Sequence, residues 1–281
     1  MKITPDMERL IELAIMEDYS AGDATTDALI SSDIDGKATI VSDENGVLAG
    51  LDIALEVFHK MAPDVETERL LSDGDFLETG SRIANIRGPL GSILTTERTS
   101  LNFLRKLSGV ATETSKYVEA VKGTSATIID TRKTTPGFRS LQKYAVRMGG
   151  GTNHRQNLGD GILIKDNHIR TLALEGMNLK DVIKKAHTNA SHTIKIEVEV
   201  ENLAQVKEAL QAGAQIILLD NMTPNEMQKA VALCKGKAIT EASGGINLSS
   251  VRAAAESGVD LISVGALTHS APDLDLSLDI E

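Results

Sequence analysis

The sequence contains no tryptophan, and aromatic residues make up only 2% of its 281 residues. Proteins that bind single-stranded nucleic acid stack the bases on aromatic side chains, so this class is disfavoured. The one cysteine, Cys234, allows no intrachain disulfide bond, which is typical of a reducing cytoplasm. No apolar run approaches the roughly 20 residues that span a bilayer. We therefore expect a cytoplasmic protein without a signal peptide.

The charge of the chain is unevenly distributed. The formal net charge is -11, yet residues 130–170 contain eight Lys or Arg and only three acids. A nucleic-acid-binding protein is more often basic over a whole face. A local cationic cluster in an acidic protein instead indicates a small polyanionic ligand.

The first part of the chain has the pattern of an α+β domain. Residues 5–18 and 51–61 have helical spacing of apolar residues, and residues 37–42 and 47–49 predict a β-hairpin. Residues 92–122 predict a long helical stretch with a break at Gly109. We expect a small antiparallel sheet with helices on one side, over residues 1–110.

From residue 124 the pattern changes to alternating strands and helices. Because each strand is followed by a helical segment, we expect a parallel sheet. Short connections favour a closed or nearly closed α/β barrel over residues 111–268, and no G-x-G-x-x-G motif opens the first unit. Residues 269–281 leave the repeat and are a candidate to return to the first domain. The six apolar runs cover residues 126–130, 162–166, 194–200, 216–220, 238–243 and 261–265.

Acidic side chains cluster on one predicted strand. Glu197, Glu199 and Glu201 alternate with valines, so their carboxylates share one face of the strand. Asp220 ends the next strand, and the active sites of α/β barrels gather at strand ends. Such carboxylates can hold Mg²⁺ together with substrate phosphates, and we expect only one or two of the three glutamates to function.

Basic residues and glycine turns lie at the other strand ends. Lys133, His154, Arg155 and Lys165 form a candidate carboxylate-binding cluster. Lys165, if buried in its strand, could instead be a Schiff-base lysine. Glycine turns after the last two strands are candidates to bind phosphate through backbone N–H groups. These turns consist of Ser243, Gly244, Gly245, Val264, Gly265 and Ala266.

Motifs along nearly the whole chain resemble those of the quinolinate phosphoribosyltransferase family. They are EDYSAGDATT, ERTSLNFLRKLSGVAT, TRKTTPGFR, KYAVRMGGGTNHR, LIKDNHI, EVEVE, LLDNM, EASGGI and SVGALTHS. Two positions depart from the family pattern, Phe138 in place of leucine and Asn157 in place of glycine. Neither departure removes a charge that the family's chemistry needs.

The resemblance implies a fold, a reaction and roles for named residues. The fold is an α+β sandwich domain followed by an incomplete α/β barrel, assembled as a homodimer or larger oligomer with shared active sites. The reaction transfers phosphoribosyl from phosphoribosyl pyrophosphate to quinolinate, with decarboxylation, in NAD biosynthesis. Mg²⁺, held by Glu199 and Asp220, is the implied cofactor. The implied substrate site, in which Lys133, Lys165, Glu199 and Asp220 are catalytic, comprises Arg98, Thr131, Arg132, Lys133, His154, Arg155, Lys165, Glu199, Asp220 and the six turn residues above.

Three other interpretations remain open at the level of sequence. One is a paralogue of the same family that accompanies molybdate transport. The second is a barrel aldolase that forms a Schiff base on Lys165 or Lys195. The third is an anion-binding module without catalytic activity.

Overall fold

A computed structural model describes all 281 residues, which divide into two compact units. The first unit consists of Met1–Ser115, Thr135–Gly150 and Ser270–Glu281, and the second of Lys116–Thr134 and Gly151–His269. The helices are α1 (Pro5–Tyr19), α2 (Ala24–Leu29), α3 (Leu51–Met61), α4 (Leu90–Ala120), α5 (Arg139–Met148), α6 (Asp166–Ala173), α7 (Leu179–Asn189), α8 (Leu203–Gln211), α9 (Pro224–Cys234), α10 (Val251–Glu256) and α11 (Ala266–His269). The strands are β1 (Asp35–Ser42), β2 (Gly46–Val47), β3 (Glu66–Arg69), β4 (Phe76–Leu77), β5 (Arg82–Pro89), β6 (Thr127–Ile129), β7 (Ile162–Ile164), β8 (Ile196–Val200), β9 (Ile216–Asp220), β10 (Ile239–Ser243), β11 (Leu261–Ser263) and β12 (Leu276–Ile280).

The first unit is built on a four-stranded antiparallel sheet in the order β12-β1-β5-β3. Its core contains Phe58 and Leu55 of α3 together with Ile40 of β1 and Ile86 of β5, all between 0% and 2% exposed. The predicted hairpin is wrong, because β1 pairs with β5 and β12 while β2 pairs with β4. Both edges of β1 are taken by distant strands, and these partners cannot be read from local turn chemistry.

The predicted helix break at Gly109 is also wrong. Helix α4 runs without interruption through 31 residues. A Cβ atom on Gly109 would lie 2.0 Å from the carbonyl oxygen of Pro272. Gly109 therefore permits close approach of two backbones in the first unit, and does not end the helix.

The segment containing α5 differs from the sequence-based boundaries. Residues 111–268 were expected to form one barrel domain, but Thr135–Gly150 belongs to the first unit. The Tyr144 hydroxyl donates to Asp73 at 2.6 Å, and the Ser140 hydroxyl donates to Asp6 at 3.0 Å. Strand β12 also lies in the first unit, where it is antiparallel to β1.

The second unit contains a six-stranded parallel sheet in the order β6-β11-β10-β9-β8-β7. Each strand lies within one of the six predicted apolar runs, and helices α7 to α10 connect them. Strands β6 and β7 share no ladder, and a single bridge joins Ile129 to Thr152 at this gap. The structure thus confirms an α+β sheet domain followed by an incomplete α/β barrel.

Local sequence determines where the barrel helices begin. The Asn202 side chain accepts hydrogen bonds from the backbone N–H groups of Ala204 and Gln205 and so caps α8. Thr223 caps α9 with the help of Glu226, which completes a capping box. These caps fix the starts of the helices that follow β8 and β9, the strands that contain Glu199 and Asp220. No helix combines the length and apolarity needed to cross a membrane.

Candidate active site

A cavity of about 550 Å³ opens at the carboxyl ends of the parallel strands of the second unit. This is the end of the sheet at which barrel enzymes assemble their catalytic residues. Eleven of the residues proposed from sequence line it. The lining consists of Thr131, Arg132, Lys133, His154, Arg155, Leu163, Lys165, Glu199, Leu218, Asp220, Asn221, Glu241, Ser243, Gly244, Gly245 and Ser263.

Asp130 organises the cationic side of this cavity. It follows β6 and is completely buried. Its carboxylate accepts the side-chain N–H of Asn153 at 2.6 Å and the backbone N–H of His154 at 2.9 Å. Because Asp130 and this loop flank the gap between β6 and β7, the hydrogen bonds hold the loop in place where the ladder is interrupted.

Two arginines lie close enough to influence each other. Burial, and then the charge of Arg132, lower the pKa of the Arg155 guanidinium. Arg155 donates through Nη1 to the carbonyl oxygen of Gly161 at 2.7 Å, while the buried Nε of Arg132 has no hydrogen-bond partner. Two repelling guanidinium groups and an unused donor are suited to an anionic ligand.

The two lysines lie on turns that directly follow strands. Lys133 is exposed, its backbone N–H donates to the Thr131 hydroxyl at 3.0 Å, and its carbonyl oxygen accepts the Thr268 hydroxyl at 2.8 Å. Lys165 follows β7 as the N-cap residue of α6 and is exposed. The Schiff-base alternative requires Lys165 to be buried in its strand, but the strand ends at Ile164.

The acidic side of the cavity contains Glu199 and Asp220. Burial and the neighbouring charge of Asp220 raise the pKa of Glu199, and Lys165 opposes this effect. The Asn221 side chain donates to Asp220 at 2.7 Å, and its backbone adopts a left-handed conformation with a φ of 53°. Asn221 thus orients the Asp220 carboxylate. The carboxylates of Glu199 and Asp220 repel each other and line the same cavity.

The turn after β10 requires glycine at one position. Gly244 has a φ of +90°, and a Cβ atom there would lie 2.3 Å from Oδ1 of Asn221 and 2.8 Å from its backbone nitrogen. Any side chain would force apart the turns after β9 and β10. At the turn after β11, a Cβ atom on Gly265 would lie 3.1 Å from Nε2 of His269 and 3.2 Å from Cδ of Lys133.

A buried carboxylate pair lies below the cations. Glu197 and Glu241 are 5% and 1% exposed. Nε2 of His154 lies 3.3 Å from Oε2 of Glu197 and 3.7 Å from Oε2 of Glu241. Burial and the charge of Glu197 raise the pKa of Glu241 well above its usual value. The second oxygen of each carboxylate, Oε1, is buried and has no partner.

Four proposed site residues do not line the cavity. Val264, Gly265 and Ala266 follow β11, whose last residue, Ser263, does line it. Arg98 belongs to the first unit, where its side chain is 56% exposed and lies 3.6 Å from Glu97. Sequence analysis assigned no role to Asn221 or His269, although both lie in motifs that carry the family resemblance. Asn221 lies against Gly244 and His269 lies against Gly265, and the sequence does not show these contacts.

Comparison with known proteins identifies the family of the chain. Residues 23–108 match the N-terminal domain of quinolinate phosphoribosyl transferase, and residues 110–279 match its C-terminal domain. The chain is 41% identical to a probable nicotinate-nucleotide pyrophosphorylase (carboxylating) from Bacillus subtilis, over 98% of this chain and 93% of that protein. It is 39% identical to a protein of the same name from Methanocaldococcus jannaschii, over 97% and 96% of the two chains.

A solved structure shows the same fold throughout. The nicotinate-nucleotide pyrophosphorylase from Francisella tularensis superposes with a TM-score of 0.94 at 40% identity, covering 100% of this chain and 98% of that one. The enzyme from Ehrlichia chaffeensis gives a TM-score of 0.92 at 39% identity and covers both chains completely. With both domain matches and these relatives, the chain belongs to the quinolinate phosphoribosyltransferase family.

Proposed function

We propose that this chain is a nicotinate-nucleotide pyrophosphorylase (carboxylating). It transfers the phosphoribosyl group of phosphoribosyl pyrophosphate to quinolinate and releases nicotinate mononucleotide, pyrophosphate and CO₂, in the de novo synthesis of NAD. The observation that carries the proposal is one cavity in which five cationic or basic side chains, three carboxylates and a glycine turn converge.

The cationic side fits quinolinate, which has carboxylates on two adjacent ring carbons. Arg132, Lys133, Arg155 and Lys165 supply more positive charge than a single carboxylate needs, and His154 lies beside them. Charge-assisted hydrogen bonds to both carboxylates fix the orientation of the ring, so that its nitrogen faces the anomeric carbon of the ribose. Lys165 is exposed, and it therefore lacks the burial that favours a Schiff-base lysine.

Mg²⁺ is the proposed cofactor, and the acidic side fits it. Glu199 and Asp220 offer oxygen ligands, and their mutual repulsion is relieved by a bound cation. When bound, the ion neutralises the pyrophosphate leaving group. Glu199 additionally stabilises the positive charge that develops at the anomeric carbon in the transition state.

The glycine turns are proposed to bind the 5′-phosphate. Gly244 and Gly245 both have positive φ angles and follow β10 directly. Backbone N–H groups in such turns form concave anion sites without a charged side chain. Ser243 adds a hydroxyl group, and Val264, Gly265 and Ala266 of the next turn are proposed to complete the site.

The assembly and cellular location are part of the same proposal. We infer a homodimer or larger oligomer in which Arg98 of one subunit serves the site of its neighbour. The Arg98 guanidinium is exposed, and the two carboxylates of quinolinate need cationic side chains to bind them. Both points support this inference. The single, buried cysteine is consistent with a cytoplasmic location.

A direct assay tests the proposed activity. The purified protein is incubated with Mg²⁺, phosphoribosyl pyrophosphate and either quinolinate or nicotinate, and the nucleotide, pyrophosphate and CO₂ are quantified. We expect equal amounts of the three products from quinolinate, and kcat/KM for nicotinate lower by about 10-fold or more, since each lost charged hydrogen bond costs roughly 1.5–3 kcal/mol. Nucleotide formation from nicotinate at a comparable kcat/KM would contradict the assignment of the dicarboxylate pocket.

A further inference from the structure

Glu241 lies between two cavities of the second unit. It is the central residue of β10 and lines the substrate cavity at the carboxyl ends of the strands. It also lines a second cavity of about 400 Å³. That cavity reaches Ile162, Ile216 and Leu261, the first residues of β7, β9 and β11, so it extends toward the opposite end of the sheet. Glu241 is thus a carboxyl group placed between the substrate and a second space.

The surroundings of Glu241 favour a proton and not a metal ion. Nδ1 of His154 accepts the backbone N–H of Arg155 at 2.7 Å, so the neutral ring carries its proton on Nε2. Nε2 is the atom that faces Glu197 and Glu241, and a protonated nitrogen has no lone pair for a metal. The His154 N–H is directed at Glu197, and a proton held by Glu241 removes the repulsion between the two carboxylates.

The reaction of the proposed function needs a proton at a defined atom. When quinolinate loses its C2 carboxylate as CO₂, the electron pair of the broken C–C bond stays on C2. The adjacent ring nitrogen, positive after ribosylation, stabilises this carbanion. The product has a hydrogen at C2, so a proton donor must lie beside the cations that hold the departing carboxylate. Arg155, one of these cations, lines both cavities together with His154 and Glu241.

We propose that Glu241 is the acid that protonates C2 after CO₂ leaves, which makes it a catalytic residue. This inference rests on the proposed function. The Glu241 O–H bond breaks, its proton forms the new C2–H bond with the electron pair left by CO₂, and Glu241 becomes a carboxylate. Such a carbanion is a far stronger base than any carboxylate, so the transfer is downhill. The raised pKa of Glu241 keeps the proton in place before each turnover.

The second cavity provides the route by which Glu241 regains its proton. Its outer lining includes Thr193, Lys195 and Asp160, which are exposed, so the cavity communicates with solvent. A proton from water can therefore reach Glu241 while product still fills the substrate cavity. Burial next to Glu197 drives this return, because two adjacent buried carboxylates repel each other.

A single-turnover experiment with Glu241→Gln separates proton supply from phosphoribosyl transfer. Quinolinate labelled in its C2 carboxylate is mixed with excess enzyme, phosphoribosyl pyrophosphate and Mg²⁺, and pyrophosphate, labelled CO₂ and nucleotides are measured over time. Glutamine keeps the shape and can donate an N–H to Glu197, so the fold is retained. We expect pyrophosphate to form at nearly the normal rate and labelled CO₂ to form about 100-fold more slowly. The nucleotide that still carries both carboxylates accumulates, because an unprotonated carbanion recaptures CO₂.

Two further variants make the result specific. Glu241→Asp retains an acid one methylene group shorter, and should partly restore CO₂ release relative to pyrophosphate. Glu256→Gln changes an exposed glutamate of α10 that pairs with Arg252, and should leave both rates unchanged. Circular dichroism of each variant confirms that it is folded.

The possible outcomes distinguish this inference from the proposed function. If Glu241→Gln releases pyrophosphate and CO₂ at equally reduced rates, or both at normal rates, Glu241 is not the C2 acid. If the unmodified protein forms no pyrophosphate from quinolinate, the proposed function itself fails, and the role of Glu241 fails with it. A CO₂ defect alone, in a variant that transfers phosphoribosyl normally, supports the proposal.

Discussion

Lys133 and Lys165 supply charge to the cavity from two different strand ends. If each contacts a quinolinate carboxylate, Lys133→Ala or Lys165→Ala should lower kcat/KM by about 10-fold to 100-fold, the equivalent of roughly 1.5–3 kcal/mol. Lys229→Ala is a matched control, since Lys229 is an exposed residue of α9 outside the cavity. Steady-state kinetics with quinolinate measures the effect. If kcat/KM is unchanged in one variant, the lysine replaced in it does not contact the substrate.

We expect Glu199 to lower the free energy of unfolding at high pH although the enzyme needs it for activity. Its raised pKa means that the folded state holds this proton to higher pH than the unfolded chain does. As pH rises from the unfolded value of 4.5 through the raised folded value, unfolding becomes easier, and the contribution is fully unfavourable above that range. Glu199→Gln should therefore unfold at a higher temperature than the unmodified protein at pH 8, with little difference near pH 4, and should have lost most activity.

Thermal unfolding at both pH values, with and without Mg²⁺, tests this effect of Glu199 on stability. Mg²⁺ should raise the unfolding temperature of the unmodified protein and have less effect on Glu199→Gln. Glu8→Gln, at an exposed site of α1, should show neither behaviour. An identical Mg²⁺ response in Glu199→Gln would remove Glu199 from the metal site.

At the residue scale, sequence identified most of the side chains that line the cavity but not how they are held. Charged residues at successive strand ends predict convergence, because parallel strands place these ends together. The role of Asp130 in holding His154, and the approach of Asn221 to Gly244, depend on which loops become neighbours across the sheet. These contacts join separate turns, and no local pattern records them.

Helix α8 shows how strongly one capping residue holds an element of the barrel. The Asn202 side chain accepts the backbone N–H groups of Ala204 and Gln205 at the start of this helix. Asn202→Ala should lower the free energy of unfolding by about 1 kcal/mol. Asn225→Ala, at an exposed position in the first turn of α9, should change it by less than about 0.5 kcal/mol. Urea unfolding measures both, and equal effects would show that the cap contributes nothing specific.

Element prediction succeeded where periodicity is local and failed where partners are distant. The apolar runs of the barrel predict β6 to β11, and β8, β9 and β10 each bury at least three of their five residues. In the first unit, a strand-like segment over residues 37–42 followed by a turn predicts a hairpin, yet β5 and β12 pair with β1. Gly109 was misread for the same reason, since the backbone that approaches it lies far away in sequence.

For the whole molecule, the principal prediction is that active sites are shared between subunits. Arg98→Ala and Lys133→Ala chains should each be nearly inactive alone. When the two are unfolded and refolded together, a mixed dimer contains one site with both native residues, so activity should reappear at about a quarter of the normal level for random pairing. Verified mixed dimers without activity would show that Arg98 serves its own chain or has no role in the site.

The strand pairing also has a consequence for synthesis of the chain on the ribosome. Strand β6 pairs with β11, so residues 127–129 have no strand partner until residues 261–263 have been synthesised. One edge of β1 likewise stays unpaired, because residues 38–42 pair with residues 276–280 of β12. Neither sheet is complete until the last of these segments has emerged, and the exposed edges of β1 and β6 are vulnerable to aggregation until then. The two units, which differ in architecture, thus share a late final step in folding.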